Sequence, residues 1–143
     1  MDFTNVGNDN SDKDYDFSNW GLNEKWLMVF NFYAENGLPA FKNYKFKQNF
    51  KKLSLWNRIQ LSNNLLAGIF GPLYFICLGM WRQALGLCLV LMIIDLLLIV
   101  IFGPLSGVVL SVHIALPMYL ANPAYYLHRV KKSKSFNVFE GCY

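Results

Sequence analysis

Residues 83–102 read QALGLCLVLMIIDLLLIVIF, and residues 105–127 read LSGVVLSVHIALPMYLANPAYYL, with Gly103-Pro104 between them. Each run reaches the roughly 20 residues needed to cross a hydrocarbon layer about 30 Å thick. Gly and Pro together break a helix and favour a turn. The pair therefore reads as a helical hairpin with a short, uncharged turn around residues 103–107. Asp95 and His113 each lie nine residues from Pro104. At 1.5 Å per residue both sit about 13 Å from the turn, so antiparallel helices bring them to equal depth, near the bilayer centre. An ionised Asp in hydrocarbon costs several kcal/mol. It should be protonated or paired, and His113 supplies a donor or a positive charge. Three readings are open for this intramembrane polar pair: a polar clamp that sets the hairpin register, a protonatable relay or partner-binding site, or two side chains that miss each other.

Working outward, a third apolar run covers residues 59–80. It is interrupted by Gly68, Gly71-Pro72 and Gly79, and it opens with Gln60, Ser62, Asn63 and Asn64. Pro72 removes a helical hydrogen bond and should kink or break the run. Broken backbone at membrane depth must be covered by protein. The expectation is a re-entrant or steeply kinked element, giving two or three membrane segments in all (59–80, 83–102, 105–127).

The charges bear on that number. Of 143 residues only 15% are charged, against about 25% in ordinary globular domains. Residues 59–128 hold one Arg, one Asp and two His, which excludes a water-exposed domain and argues against a soluble enzyme. Residues 1–24 hold six acids and one base, residues 25–58 seven bases and one acid, and residues 129–143 four bases and one acid. Basic flanks stay cytoplasmic. With Lys42–Arg58 and Arg129–Lys134 both basic, an even number of crossings puts both ends inside. Three plain crossings with the C-terminal bases exported is the competing layout.

The remaining segments follow from pattern. Residues 1–19 are acidic and lack apolar periodicity, which reads as a disordered tail and not as a signal peptide. Residues 20–58 should hold a cytoplasmic amphipathic helix and a basic, aromatic connector. Leu22, Trp26, Val29, Phe30 and Tyr33 repeat at helical spacing on one face. Asn23 caps the start and Asn36-Gly37 the end. That helix either packs on its neighbours or lies on the headgroups. In the connector, Phe41, Tyr44, Phe46, Phe50 and Trp56 alternate with bases. Such a segment can bind single-stranded nucleic acid. Its place beside an apolar run points instead to anionic lipid, at roughly 1 kcal/mol per base. The lipid-facing cluster is Lys42, Lys45, Lys47, Lys51, Lys52 and Arg58, joined by Lys131, Lys132 and Lys134 in a basic tail, residues 129–143. No nucleic-acid partner is expected.

Cys77, Cys88 and Cys142 show no CxxC spacing, so neither a disulfide framework nor a zinc site is read. No phosphate-loop glycine motif, HExxH or GxSxG occurs. No catalytic residue, metal or cofactor is expected, and His128, among Tyr125, Tyr126 and Arg129, reads as an interfacial residue.

Phe70-Gly71-Pro72-Leu73-Tyr74-Phe75, followed by Gly79-Met80-Trp81-Arg82, resembles a signature of the domain of unknown function 2628 family of small bacterial inner-membrane proteins. Asn122, Tyr125, Tyr126 and Arg129 resemble that family's closing element. The resemblance spans roughly residues 24–130. It implies an inner-membrane protein of Gram-negative type and carries no catalytic residue. The expectation is an all-α membrane protein: an N-terminal cytoplasmic helix, a Gly-Pro-broken apolar element and a transmembrane hairpin. Its expected role is non-catalytic, as an accessory or interaction protein of regulatory or immunity type that binds a membrane partner or itself. The alternative is a small transporter or channel built from an oligomer, with Asp95 and His113 lining the path.

Overall fold

The computed structural model describes residues 15–103 and 107–143. Within them the chain forms a short 3-10 turn at Ser18–Trp20 and then α1 (Glu24–Asn36), α2 (Tyr44–Lys52), α3 (Leu55–Ser62), α4 (Leu65–Phe70), α5 (Pro72–Cys77), α6 (Trp81–Phe102) and α7 (Gly107–Arg129). No strand occurs among the described residues.

Local chemistry sets the helix starts. Side-chain oxygens of Asn23, Asn43, Ser54 and Asn64 accept from the backbone N–H three residues on, capping α1, α2, α3 and α4. Each such cap satisfies an orphan donor and is worth about 1 kcal/mol. Gly37 closes α1, with its N–H bonded to the Tyr33 carbonyl at 2.8 Å.

The third apolar run is not one helix. It is split between the end of α3, α4 and α5, and the break between α4 and α5 falls at Gly71, with φ 54° and ψ −133°. Only glycine adopts that region readily. Pro72 then occupies the first position of α5, where its missing N–H costs nothing. The expected break is therefore present, but glycine makes it and proline merely starts the next helix. α4 packs on α7 and α5 on α6.

α6 and α7 run as an antiparallel pair, and both are long and apolar enough to cross a membrane. Of the expected turn, residues 104–106 lie outside the described residues. α6 buries Gln83, Ala84, Leu87 and Leu91. Leu85, Leu89, Met92, Leu96 and Val100, among others, are exposed.

The core gathers at the end of the pair where α6 begins and α7 finishes. α1 lays Trp26, Val29, Phe30 and Tyr33 against it, the face that periodicity marks out. Trp26 meets Tyr125 at 4.5 Å between ring centroids, and Phe30 meets Tyr126 edge-on at 5.3 Å. Phe17 is buried on Phe30. The last residues of the acidic segment thus belong to the packed unit, while residues 1–14 lie outside the described residues.

The C-terminal residues also fold back. Val138 and Cys142 are buried, and the tail crosses α6 at Gly86, where a Cβ would overlap the Phe136 carbonyl. The close neighbour of Gly86 is therefore this tail and not another helix.

Candidate functional site

α6 and α7 bring Asp95 and His113 together, with His113 Nε2 3.3 Å from Asp95 Oδ2. Equal spacing from the turn is the reason. His113 Nδ1 lies 3.0 Å from the Val109 carbonyl one turn earlier. A carbonyl only accepts, so Nδ1 carries a proton. Nε2 then either donates to the carboxylate as imidazolium or accepts from the carboxylic acid. The pair is net neutral in both arrangements. Its side chains are 39% and 25% exposed, so it is open along one flank. Asp95 Oδ1 is buried with no partner among the described residues.

A second polar group is wholly enclosed. Asn122 is 0% exposed and Asn64 1%. Asn122 Nδ2 donates to the carbonyls of Gln60 and Leu61, both at 2.9 Å, which satisfies the end of α3. Asn122 Oδ1 accepts from Asn64 Nδ2, which also reaches the Tyr74 hydroxyl, both at 3.2 Å. The Asn64 N–H donates to the Met118 carbonyl at 2.8 Å. Tyr33 adds its hydroxyl to the Leu61 carbonyl at 3.2 Å. Burial pushes the Tyr33 phenol well above its usual range, with the nearby Cys142 and Tyr119 side chains adding to it. This knot ties α1, α3, α4 and α5 to α7. Buried polar groups of this kind cost heavily unless paired, and here they fix geometry.

The other motif residues serve the same frame. Gly71 and Pro72 make the α4–α5 corner and Phe70 stands exposed beside it. Gly79, with φ 82°, ends α5, and Met80 is buried at the start of α6. Trp81 is exposed and packs edge-on to Phe136 at 6.1 Å. The Arg82 guanidinium lies over both rings and donates to the Lys134 carbonyl at 3.0 Å. Arg129 sits 5.9 Å from the ring centroids of Trp20 and Tyr125.

Much of the basic cluster is engaged locally. Lys45 donates to the Glu35 carbonyl, Lys47 to the Phe41 carbonyl and Lys52 to Asn49. Arg58 reaches the carbonyls of Leu53 and Lys51. Sequence reasoning treats these as a lipid-facing cluster; several of them also satisfy helix-end carbonyls. Asn64, Tyr33 and Gln83 carry no sequence motif of their own. Gln60, Asn63 and Asn64 ahead of the break, with Asn122 far along the chain, are the signal in the sequence.

Comparison with known proteins places this arrangement. The family model described as "Protein of unknown function (DUF2628)" matches residues 11–131. The chain belongs to this family. The match covers the capped α1, the Gly71 corner, the hairpin and Arg129, so the DUF2628 unit is the packed unit itself without its C-terminal tail. Among similar proteins are the uncharacterized protein YigF of Salmonella typhimurium (strain LT2) and its namesake from Salmonella typhi. Each is 37% identical over 76 residues, covering 52% of this chain and 60% of the relative. The uncharacterized protein YigF of Escherichia coli (strain K12) is 31% identical over 97 residues, 66% of this chain and 76% of the relative. The matched region thus spans about three fifths of the Salmonella relatives' length. No solved structure matches.

Proposed function

We propose that this DUF2628 protein is a small, non-catalytic protein of the bacterial inner membrane that acts by binding a membrane partner or a second copy of itself. α6 and α7 cross the bilayer as a hairpin, and α4–α5 enter from one side as a re-entrant corner without crossing. Both ends then lie on the cytoplasmic side.

The observation that carries the reading is α6. It is apolar nearly all round and buries little of itself, the pattern of a helix that needs lipid or another helix around it. The bases support the orientation. Arg82, Arg129 and Lys131–Lys134 all fall at the same end of the hairpin, where α1 and the basic connector pack, as cytoplasmic flanks require. The exposed flank of the Asp95–His113 pair favours a partner. A polar pair facing hydrocarbon is costly, and a facing helix with a hydrogen-bonding group would relieve it.

The test is purification of tagged chain in mild detergent, with mass determination and identification of co-purifying proteins. A stoichiometric membrane partner or a defined homo-oligomer, weakened by Asp95→Leu, is expected. Recovery from the soluble fraction, or as a bare monomer without a partner, sinks the reading. A homo-oligomer that conducts protons, with conduction lost in Asp95→Asn, would establish the transport alternative instead.

A further inference from the structure

A cleft of about 270 Å³ opens where α6 begins, between Gly79–Gln83, His128 at the end of α7, and Ser133–Ser135 of the folded-back tail. Two features make it more than a surface dent. The first is the start of a 22-residue helix: no side chain caps it, so its first N–H groups and the positive end of its dipole point toward this region. The second is Gln83. The residue is 3% exposed and stands among those that line the cleft, and its buried Nε2 and Oε1 have no hydrogen-bond partner among the described residues. A buried amide unpaired at both ends is rare in native proteins and calls for an explanation.

The cations around it agree, with one carboxylate, Glu140, behind Ser133. Arg82 and Lys134 line the cleft with His128. One guanidinium N–H of Arg82 is used by the Lys134 carbonyl, which fixes the group in place while four of its five donors remain. Glu140 accepts from Ser133 Oγ at 2.7 Å, which turns that hydroxyl proton toward the carboxylate and orients the tail side of the cleft.

We infer that this cleft binds a phosphate group. Gln83 selects among anions: Nε2 must find an acceptor and Oε1 a donor. An ionised carboxylate offers acceptors alone. A hydrogen phosphate, or a phosphodiester with a neighbouring hydroxyl, offers both. Helix N-terminal N–H groups and a guanidinium fork are the usual partners of its oxygens. The phosphate comes either from a phosphoglycerol headgroup, with Trp81 exposed at the mouth, or from a small soluble phosphate. The inference does not require the hairpin to cross a bilayer, so its failure and that of the membrane-partner reading are separable.

The experiment uses the full chain, purified and delipidated in neutral detergent. Binding is read by native mass spectrometry and by thermal shift. One arm titrates sodium phosphate against sodium chloride at equal ionic strength. The other titrates phosphatidylglycerol against phosphatidylcholine. Saturable binding in the first arm alone identifies soluble phosphate, in the second alone the headgroup, and in both a site open to either. Arg82→Gln and Gln83→Leu should each weaken that binding about tenfold or more, the scale of one charged hydrogen bond. Gln83→Leu removes an unpaired buried amide, so its melting temperature without ligand should equal or exceed that of the parent. It keeps the test informative if Arg82→Gln misfolds. No saturable binding in either arm overturns the proposal. So does unchanged binding by Gln83→Leu, or its failure to fold, which would give the amide a partner within the protein.

Discussion

The Phe136 carbonyl occupies the space into which a side chain on Gly86 would project. The tail is seated on α6 by the lack of a Cβ, and backbone on both sides leaves little room to yield. Gly86→Ala should lift residues 133–142 from α6 at a cost of about 1–3 kcal/mol. Limited proteolysis should show it as faster cleavage after Lys131, Lys132 and Lys134, with α7 intact. Cleavage as slow as in the parent would mean that the tail docks elsewhere.

Cys142 reports on the same contact. It is buried near the end of the tail, beside Tyr33 and Tyr119, and burial pushes its thiol above the usual range. An impermeant maleimide should therefore label it slowly in the parent whichever side of a membrane it faces, and faster in Gly86→Ala. The sidedness of this end is better read from Tyr143, which is 74% exposed. In a Cys142→Ser background, Tyr143→Cys should resist the impermeant reagent in intact cells and react after permeabilisation. Reaction in intact cells contradicts the two-crossing layout.

Asn122→Ala should be the most damaging single change in the polar knot. It strands the Gln60 carbonyl, leaves the Leu61 carbonyl with the Tyr33 hydroxyl alone and takes one of two partners from Asn64 Nδ2, at about 1–3 kcal/mol per buried group left unsatisfied. The melting temperature in mild detergent should fall by several degrees, more than for Tyr74→Phe, which removes one partner of Asn64 at the edge of the network. Equal losses would argue against Asn122 as the centre of the knot.

Tyr33 predicts an alkaline limb. Its folded phenol titrates well above the ordinary value of 10.0 because it is buried. Above pH 10 the unfolded chain ionises and the folded one does not, so the stability Tyr33 contributes is complete below about pH 10 and is lost as pH rises beyond it. Tyr33→Phe should lower stability near neutrality by about 1 kcal/mol and flatten the fall above pH 10. A parallel curve for the variant would place the alkaline limb on other groups.

For Asp95 and His113 a double-mutant cycle with leucine at each site separates a clamp from two independent residues. Coupling of about 0.6 kcal/mol is the usual scale for such a pair between helices in a membrane. A value of zero would mean that the 3.3 Å approach contributes nothing to the packing of α6 on α7.

How much of this could be read in advance depends on the distance along the chain over which each feature is written. The α1 face is local, and its helical spacing carries over directly to burial of Trp26, Val29, Phe30 and Tyr33. The meeting of Asp95 and His113 is also local in effect, since both count from one turn. The Gly71 corner was visible as a break, though the residue responsible is the glycine. The knot and the cleft were not readable. Asn122 reaches Gln60 and Leu61 across about sixty residues of sequence, and Arg82 reaches Lys134 across fifty-two. Neither periodicity nor charge counting encodes such closures. Residues 129–143 read as a basic tail because their bases are conspicuous, whereas Phe136, Val138 and Cys142, which dock it, are spaced too irregularly to announce a face.

That docking also imposes an order of assembly. Residues 133–135, which form one wall of the cleft beside Gln83, leave the ribosome only after α6 and α7 have been made. A nascent chain thus completes its hairpin with the start of α6 uncovered, and chains that terminate near Arg129 keep the hairpin without ever acquiring the cleft. Synthesis itself separates the two, so prematurely ended chains would be expected to embed and yet be deaf to whatever occupies that wall.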